Sequence, residues 1–178
     1  MGTASVRGRR VDTGEAVLIA IEAGAIASID AIDDVDALPW IGPGLVDVQV
    51  NGFAGIDLND SLASPERVMQ LCRALAKVGV TSFLPTVVTA HADEIEERLA
   101  AIASAVNADQ LSAQMVVGIH LEGPFISPED GARGAHPLDA VRGPDWNLFA
   151  RWQSAAGGRI RIVTLSPEWP SSLELIER

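Results

Sequence analysis

The sequence predicts an α/β fold: about four strands from the first half of a (β/α)8 barrel in residues 43–178, preceded by a small β unit in residues 1–42. Three observations carry this. From Leu45 onward, stretches with strand and helix periodicity alternate, the order expected of a parallel sheet covered by helices. Residues 115–122 form an apolar strand bearing His120 and Glu122 on one face at its carboxyl end, stopped by Gly123-Pro124, and strand ends of this kind are where α/β proteins hold their chemistry. Finally, 178 residues hold only about half of a barrel that takes ~250 residues. The chain therefore reads as an N-terminal fragment.

The elements follow in order. Residues 3–32 read as short strands and turns: 17–21 is a β-rich run, Glu22-Ala-Gly24 a turn signal, and 25–32 a second run. An acidic cluster (Asp30, Asp33, Asp34, Asp36) leads to Pro39-Trp-Ile-Gly-Pro-Gly44, whose composition marks a boundary. In the strand at 45–52, alternation places Val46, Val48 and Val50 on a face suited to helices. Asp47, Gln49 and Asn51 fall on the other, suited to a barrel mouth.

Ser64-Pro65-Glu66 supplies an N-cap, a first-turn proline and a first-turn acid for a helix to about residue 77, with Val68, Leu71 and Leu75 inward and Gly79 as terminator. Residues 80–89 form the next strand, where Pro85 marks its functional end or a bulge. A helix over about 93–106 buries Ile95, Leu99, Ile102 and Val106. In the strand at 115–122, Met115, Val117, Ile119 and Leu121 share one face, while Val116, Gly118, His120 and Glu122 share the other. The loop over 125–144 is long enough to suggest function. A helix at about 145–155 buries Phe149 and Trp152, residues 159–165 give the fourth strand, and Ser171 caps a last helix.

Composition bounds the function. A net charge of −11, from 24 acidic against 13 basic residues, argues against nucleic acid and anionic membranes as partners. The acidic cluster reads as a solvated surface. No apolar run approaches a membrane span and no signal peptide is expected. The single cysteine, Cys72, excludes an internal disulfide, suits a reducing cytoplasm, and reads as a small hydrophobe on its helix.

The ionisable residues leave several chemistries open. A catalytic metal takes three protein donors, and Glu122 with His120 offers two at most. His-x-Glu opens the zinc deaminase signature, but the Pro-Cys-x-x-Cys partner is absent. A glycosidase would need a second carboxylate, for which Asp47 and Glu168 are candidates. His120 reads as a histidine supporting the site or packed in the core rather than a ligand, and His91 as a surface residue at a helix start. Asp47 is equally a structural group or a base.

Taken together, Pro43-Gly-Leu-Val-Asp47, Gln49-Val-Asn-Gly52, Gly79-Val-Thr-Ser-Phe-Leu-Pro-Thr86, His120-Leu-Glu-Gly-Pro-Phe125, Gly134-Ala-His136 and Val163-Thr-Leu-Ser-Pro-Glu168 resemble N-acetylglucosamine-6-phosphate deacetylases of the amidohydrolase superfamily. The resemblance runs along essentially the whole chain in the right order. It implies part of a β-sandwich beside a metal-dependent barrel that hydrolyses the N-acetyl amide of an amino sugar 6-phosphate. The products would be glucosamine 6-phosphate and acetate. It places the glutamate metal ligand on Glu122 and substrate contacts on Ala135 and His136.

Many amidohydrolases carry His-x-His on the first barrel strand. This chain has Gln49-x-Asn51, which favours one divalent ion, zinc or alternatively iron or another, with Gln49 bonded to substrate or metal-bound water. The resemblance also implies a homodimer for the whole enzyme. The two metal-binding histidines and catalytic aspartate of the family have no counterpart before Arg178, so the fragment alone is expected to be inactive. A dihydroorotase-like fragment and a non-catalytic assembly module are the alternatives.

Overall fold

A computed structural model describes residues 2–33, 37–60 and 63–178, so Asp34 and Asp36 of the acidic cluster lie outside the described residues. The fold is mixed α/β, with a small sheet-rich unit, Met1–Gly44, and a larger unit, Leu45–Arg178, built on a parallel sheet.

In the first unit, β1 (Ala4–Arg10), β2 (Ala16–Glu22), β3 (Ala25–Ala31) and β4 (Trp40–Ile41) form one sheet in the order β3-β2-β1-β4. The first three strands pair antiparallel, and β4 joins β1 in parallel. The β2–β3 turn places Ala23 and Gly24 at φ 52° and 81°, the left-handed pair that a two-residue hairpin connection requires. Gly8 has no room for a side chain, because a Cβ there would strike Ile41.

The second unit begins with β5 (Leu45–Val50). A hairpin of β6 (Gly52–Phe53) and β7 (Ile56–Asp57) follows, then α1 (Pro65–Ala76), β8 (Val80–Val88), α2 (Ala92–Ala108), α3 (Gln110–Met115), β9 (Ile119–Glu122), α4 (Trp146–Ala155), β10 (Ile160–Thr164) and α5 (Ser172–Glu177). Strands β5, β8, β9 and β10 make a four-stranded parallel sheet in sequence order, with β5 and β10 at its edges. Sequential parallel strands linked through helices are the arrangement of a (β/α) barrel sector.

Local chemistry explains the helix boundaries. Ser64 accepts a hydrogen bond from the Arg67 N–H at 3.4 Å, Pro65 opens the first turn of α1, and Gly79 at φ 87° follows its end. Such a cap contributes about 1 kcal/mol. Asp145 caps α4 through the N–H groups of Asn147 and Leu148. The core lies between the sheet and the helices: Phe83, Val87, Ile119 and Leu121 meet Leu71, Ile95, Leu99 and Trp152. Trp152 is fully buried and donates its indole N–H to the Ala92 carbonyl at 3.0 Å, the usual condition for burying a tryptophan.

Three details differ from the sequence reading. The third strand of the parallel sheet begins at Ile119, because Asp109 caps a short helix through Ser112 that extends to Met115; Val117 is therefore 52% exposed instead of facing the core. Val46 and Val48 are exposed, whereas Val50 is buried, since β5 is an edge strand with a register irregularity between Asp47 and Val50. Of the two readings of Pro85, the bulge is the one that holds: Pro85 lies opposite Val50 beside that irregularity, and the strand continues to Val88. Ser171 does not cap α5 with its side chain but donates to the Pro144 carbonyl at 2.8 Å.

Candidate active site at the carboxyl ends of the strands

The alternation of β9 divides its side chains between two environments. Ile119 and Leu121 enter the core against the helices, and His120 and Glu122 project from the opposite face. Glu122 is half-buried. Its Oε2 accepts a hydrogen bond of 3.0 Å from Gln49 Nε2, which reaches it from β5. The strand between them is β8. Carboxylate and amide thus meet above it, on the face away from the helices, at the carboxyl ends of their strands.

A cleft of about 240 Å³ opens here, lined by Asn51, Val88, Thr89, Glu122, Ala135, His136 and Pro137. Glu122, Ala135 and His136, separated by up to 14 positions in sequence, are therefore brought to one cavity, with Gln49 bonded to the carboxylate. Two contributors, Thr89 and Arg133, were not singled out from sequence, whereas Asn51 was placed at the mouth by alternation. Thr89, immediately after β8 and 3% exposed, donates its hydroxyl to the Glu122 carbonyl at 3.3 Å and lies 2.9 Å from His136 Nδ1. Asn51 lines the wall. Arg133 bonds the His136 carbonyl through Nη1 at 3.0 Å and pairs with Asp130. Thr89 carried no signal beyond standing at the end of a β-rich run, and Arg133 none beyond sitting in the long loop.

The loop between β9 and α4 is held by backbone bonds. The Arg142 N–H donates to the Pro124 carbonyl at 3.0 Å, and the Ser166 N–H donates to the Phe125 carbonyl at 2.8 Å. Gly134 at φ 63° makes the reversal that presents Ala135 and His136. The peptide between Gly123 and Pro124 is cis.

His120 is 6% exposed. Its Nε2 lies 2.7 Å from Thr164 Oγ1 on β10, and its Nδ1 has no hydrogen-bond partner among the described residues. Burial lowers its pKa from the ordinary histidine value, opposed by the Glu122 carboxylate and the Val48 backbone. It links two strands. Asp47 accepts from the Gln49 N–H at 3.1 Å, a local turn contact, and Glu168 is exposed. His91 is exposed 3.5 Å from Asp139, and Cys72 is fully buried, its thiol pKa raised by that burial.

Among the described residues no three His, Cys, Asp or Glu side chains converge on a point that could hold a metal. Glu122 offers one anionic oxygen donor. These residues by themselves do not fit the three-donor site of a catalytic metal.

No protein-family profile matches the chain. It is 40% identical over 136 residues to N-acetylglucosamine-6-phosphate deacetylase of Bacillus subtilis, and 38% identical over 139 residues to that of Bos taurus. It is also 32% identical over 179 aligned residues to N-acetylgalactosamine-6-phosphate deacetylase of Escherichia coli O157:H7. These matches take in 75%, 76% and 96% of this chain but 33%, 33% and 46% of the relatives. The chain thus spans between a third and a half of the length of these relatives. Among solved structures, N-acetylglucosamine-6-phosphate deacetylase from Pasteurella multocida matches in fold with a TM-score of 0.78 at 20% identity, over 99% of this chain and 48% of that one. The deacetylase from Mycobacterium smegmatis, solved as a mutant in complex with N-acetyl-D-glucosamine-6-phosphate, gives 0.77 at 26% identity, over 99% and 46%.

Proposed function

We propose that this chain, a homologue of N-acetylglucosamine-6-phosphate deacetylases over about three-quarters of its length, carries the first half of the barrel of a metal-dependent deacetylase. In this reading residues 1–42 are part of a β-sandwich and residues 43–178 the barrel half. The substrate is an N-acetylated amino sugar 6-phosphate, cleaved to acetate and the amino sugar phosphate. The observation that carries the reading is the convergence of Glu122, Gln49, Ala135 and His136 at the carboxyl ends of parallel strands, where barrels of this class do their chemistry.

Each residue has a role that its position supports. Glu122 would supply one anionic oxygen to a divalent ion, zinc in the first instance; the further donors that a three-donor site needs are not among the described residues. When bound, such an ion would supply Lewis-acid chemistry, polarising an amide carbonyl and lowering the pKa of water. Gln49 fixes the Glu122 carboxylate by donating to one of its oxygens. Ala135 and His136 form the wall that the sugar meets. The complete enzyme is a cytoplasmic homodimer, and nucleic acid and membrane are not its partners; no described helix is long and apolar enough to cross a membrane.

The test is a chimera in which this chain replaces the matching segment of the Bacillus subtilis deacetylase, assayed for acetate release. Turnover of the acetylated sugar phosphate supports the reading, and a folded chimera without turnover contradicts it. The similarity to an N-acetylgalactosamine-6-phosphate deacetylase favours assaying both epimers, because either hexosamine is compatible with the relatives.

A further inference from the structure

Two residues of the cleft that are far apart in sequence share a single buried hydroxyl. Thr89 Oγ1 lies 3.3 Å from the Glu122 carbonyl oxygen and 2.9 Å from His136 Nδ1. The side chain has little freedom to choose other partners: Thr89 is 3% exposed, and Gly123 packs so closely that a Cβ there would strike the Thr89 hydroxyl. A threonine hydroxyl has one proton to give and two lone pairs to accept with. The carbonyl can only accept. For both contacts to be hydrogen bonds, the hydroxyl proton must point at the Glu122 carbonyl and the imidazole must donate from Nδ1.

We propose that Thr89 is a positioning residue that holds His136 in the Nδ1–H form, tying the loop that carries the imidazole to the strand end that carries Glu122. The chain of donors runs from His136 Nδ1–H to Thr89 Oγ1, and from Thr89 O–H to the Glu122 carbonyl. In the neutral ring the proton is then on the nitrogen facing Thr89. Nε2 keeps its lone pair for whatever enters the cleft, as the neutral ring has one donor and one acceptor nitrogen.

A ligand group meeting that nitrogen must offer an O–H or N–H. On the deacetylase reading, from which this last step follows, sugar hydroxyls and the N-acetyl amide N–H qualify and an ionised phosphate oxygen does not. The Arg133 bond to the His136 carbonyl fixes the same residue from its backbone side. Ring and main chain are thus anchored by different elements.

The first test uses the 178-residue chain itself and does not depend on activity. With only three histidines in the sequence, long-range nitrogen–proton correlation spectra of the 15N-labelled imidazoles, recorded above pH 8, report each tautomer, and His136→Asn assigns the His136 signals. The expected result is an Nδ1-protonated His136 in the unsubstituted chain, retained in Thr89→Ser. In Thr89→Val, which keeps the shape and removes the hydroxyl, His136 shifts toward the Nε2–H form. An Nε2-protonated His136 in the unsubstituted chain overturns the proposal without reference to any variant.

The second test measures kinetics in the chimera. Thr89→Val is expected to raise KM for the acetylated sugar phosphate roughly tenfold, the scale of one lost hydrogen bond, with kcat falling less and Thr89→Ser restoring most of the loss. An unchanged KM in a folded Thr89→Val chimera overturns the proposed role in the cleft. An inactive parent chimera would sink the deacetylase reading and leave the tautomer result standing.

Discussion

At the scale of single residues, the contact between Gln49 and Glu122 yields a graded prediction. Gln49 donates to one carboxylate oxygen at 3.0 Å across an exposed mouth. Removing it frees the carboxylate to rotate without removing its charge. In the chimera, Gln49→Ala is expected to weaken zinc affinity about tenfold, the lower end of what partners of metal ligands contribute, measured by competition with a chromophoric chelator. An affinity unchanged within twofold would show that Gln49 does not orient Glu122. Glu122 itself was legible in the sequence because an acid on an apolar strand, two positions after a histidine and before Gly-Pro, has no packing reason to be there. Thr89 was not. Its importance depends on a hydroxyl meeting groups 33 and 47 positions away, and a threonine at the end of a β-rich run looks like ordinary strand composition.

At the scale of elements, the readable features were those with local causes. The cap, proline and acid of α1, the apolar stripes of α1 and α2, and the strand at residues 80–88 follow from short-range chemistry. The miss at α3 has an equally local cause. Asp109 accepts from the Ser112 N–H at 2.9 Å and from its hydroxyl at 2.7 Å, so six residues preceding the strand coil into a helix despite the apolar run that follows. These bonds, led by the Ser112 hydroxyl, hold the Asp109 carboxyl below its ordinary value of 3.8. A carboxyl whose folded pKa is depressed contributes stability that is present above the unfolded pKa and lost as pH falls through the folded one. Asp109→Asn is therefore expected to lower the urea midpoint at pH 6 and to match the unsubstituted chain more closely near pH 3. A gap between the two that is equal at both pH values would show that the charge of Asp109 does not support this turn. The β6–β7 hairpin was missed for a different reason: Ala54 and Gly55 sit at φ 52° and 80°, and an alanine in the left-handed region is not a turn signal in sequence.

At the scale of the whole molecule, the described residues contain no three-donor metal site. β5 also leaves Leu45, Val46 and Val48 more than half exposed on an edge strand. Unpaired strand edges with apolar side chains promote association. The isolated 178-residue chain is accordingly expected to self-associate, to bind zinc weakly and below one ion per chain, and to release no acetate. Light scattering with metal analysis of the same sample checks this, and a monodisperse monomer holding one tightly bound ion would contradict it. The central claim, that the strand-end cluster around Glu122 is part of a deacetylase centre, is tested most directly by acetate release from N-acetylglucosamine 6-phosphate. The comparison is between the chimera and its Glu122→Gln variant, with metal content determined on the same preparations. The account predicts turnover and a bound ion in the first, and in the folded variant a rate lower by at least about 100-fold together with loss of the ion, because a neutral amide replaces an anionic oxygen donor. A Glu122→Gln chimera that keeps both its metal and its rate would contradict it.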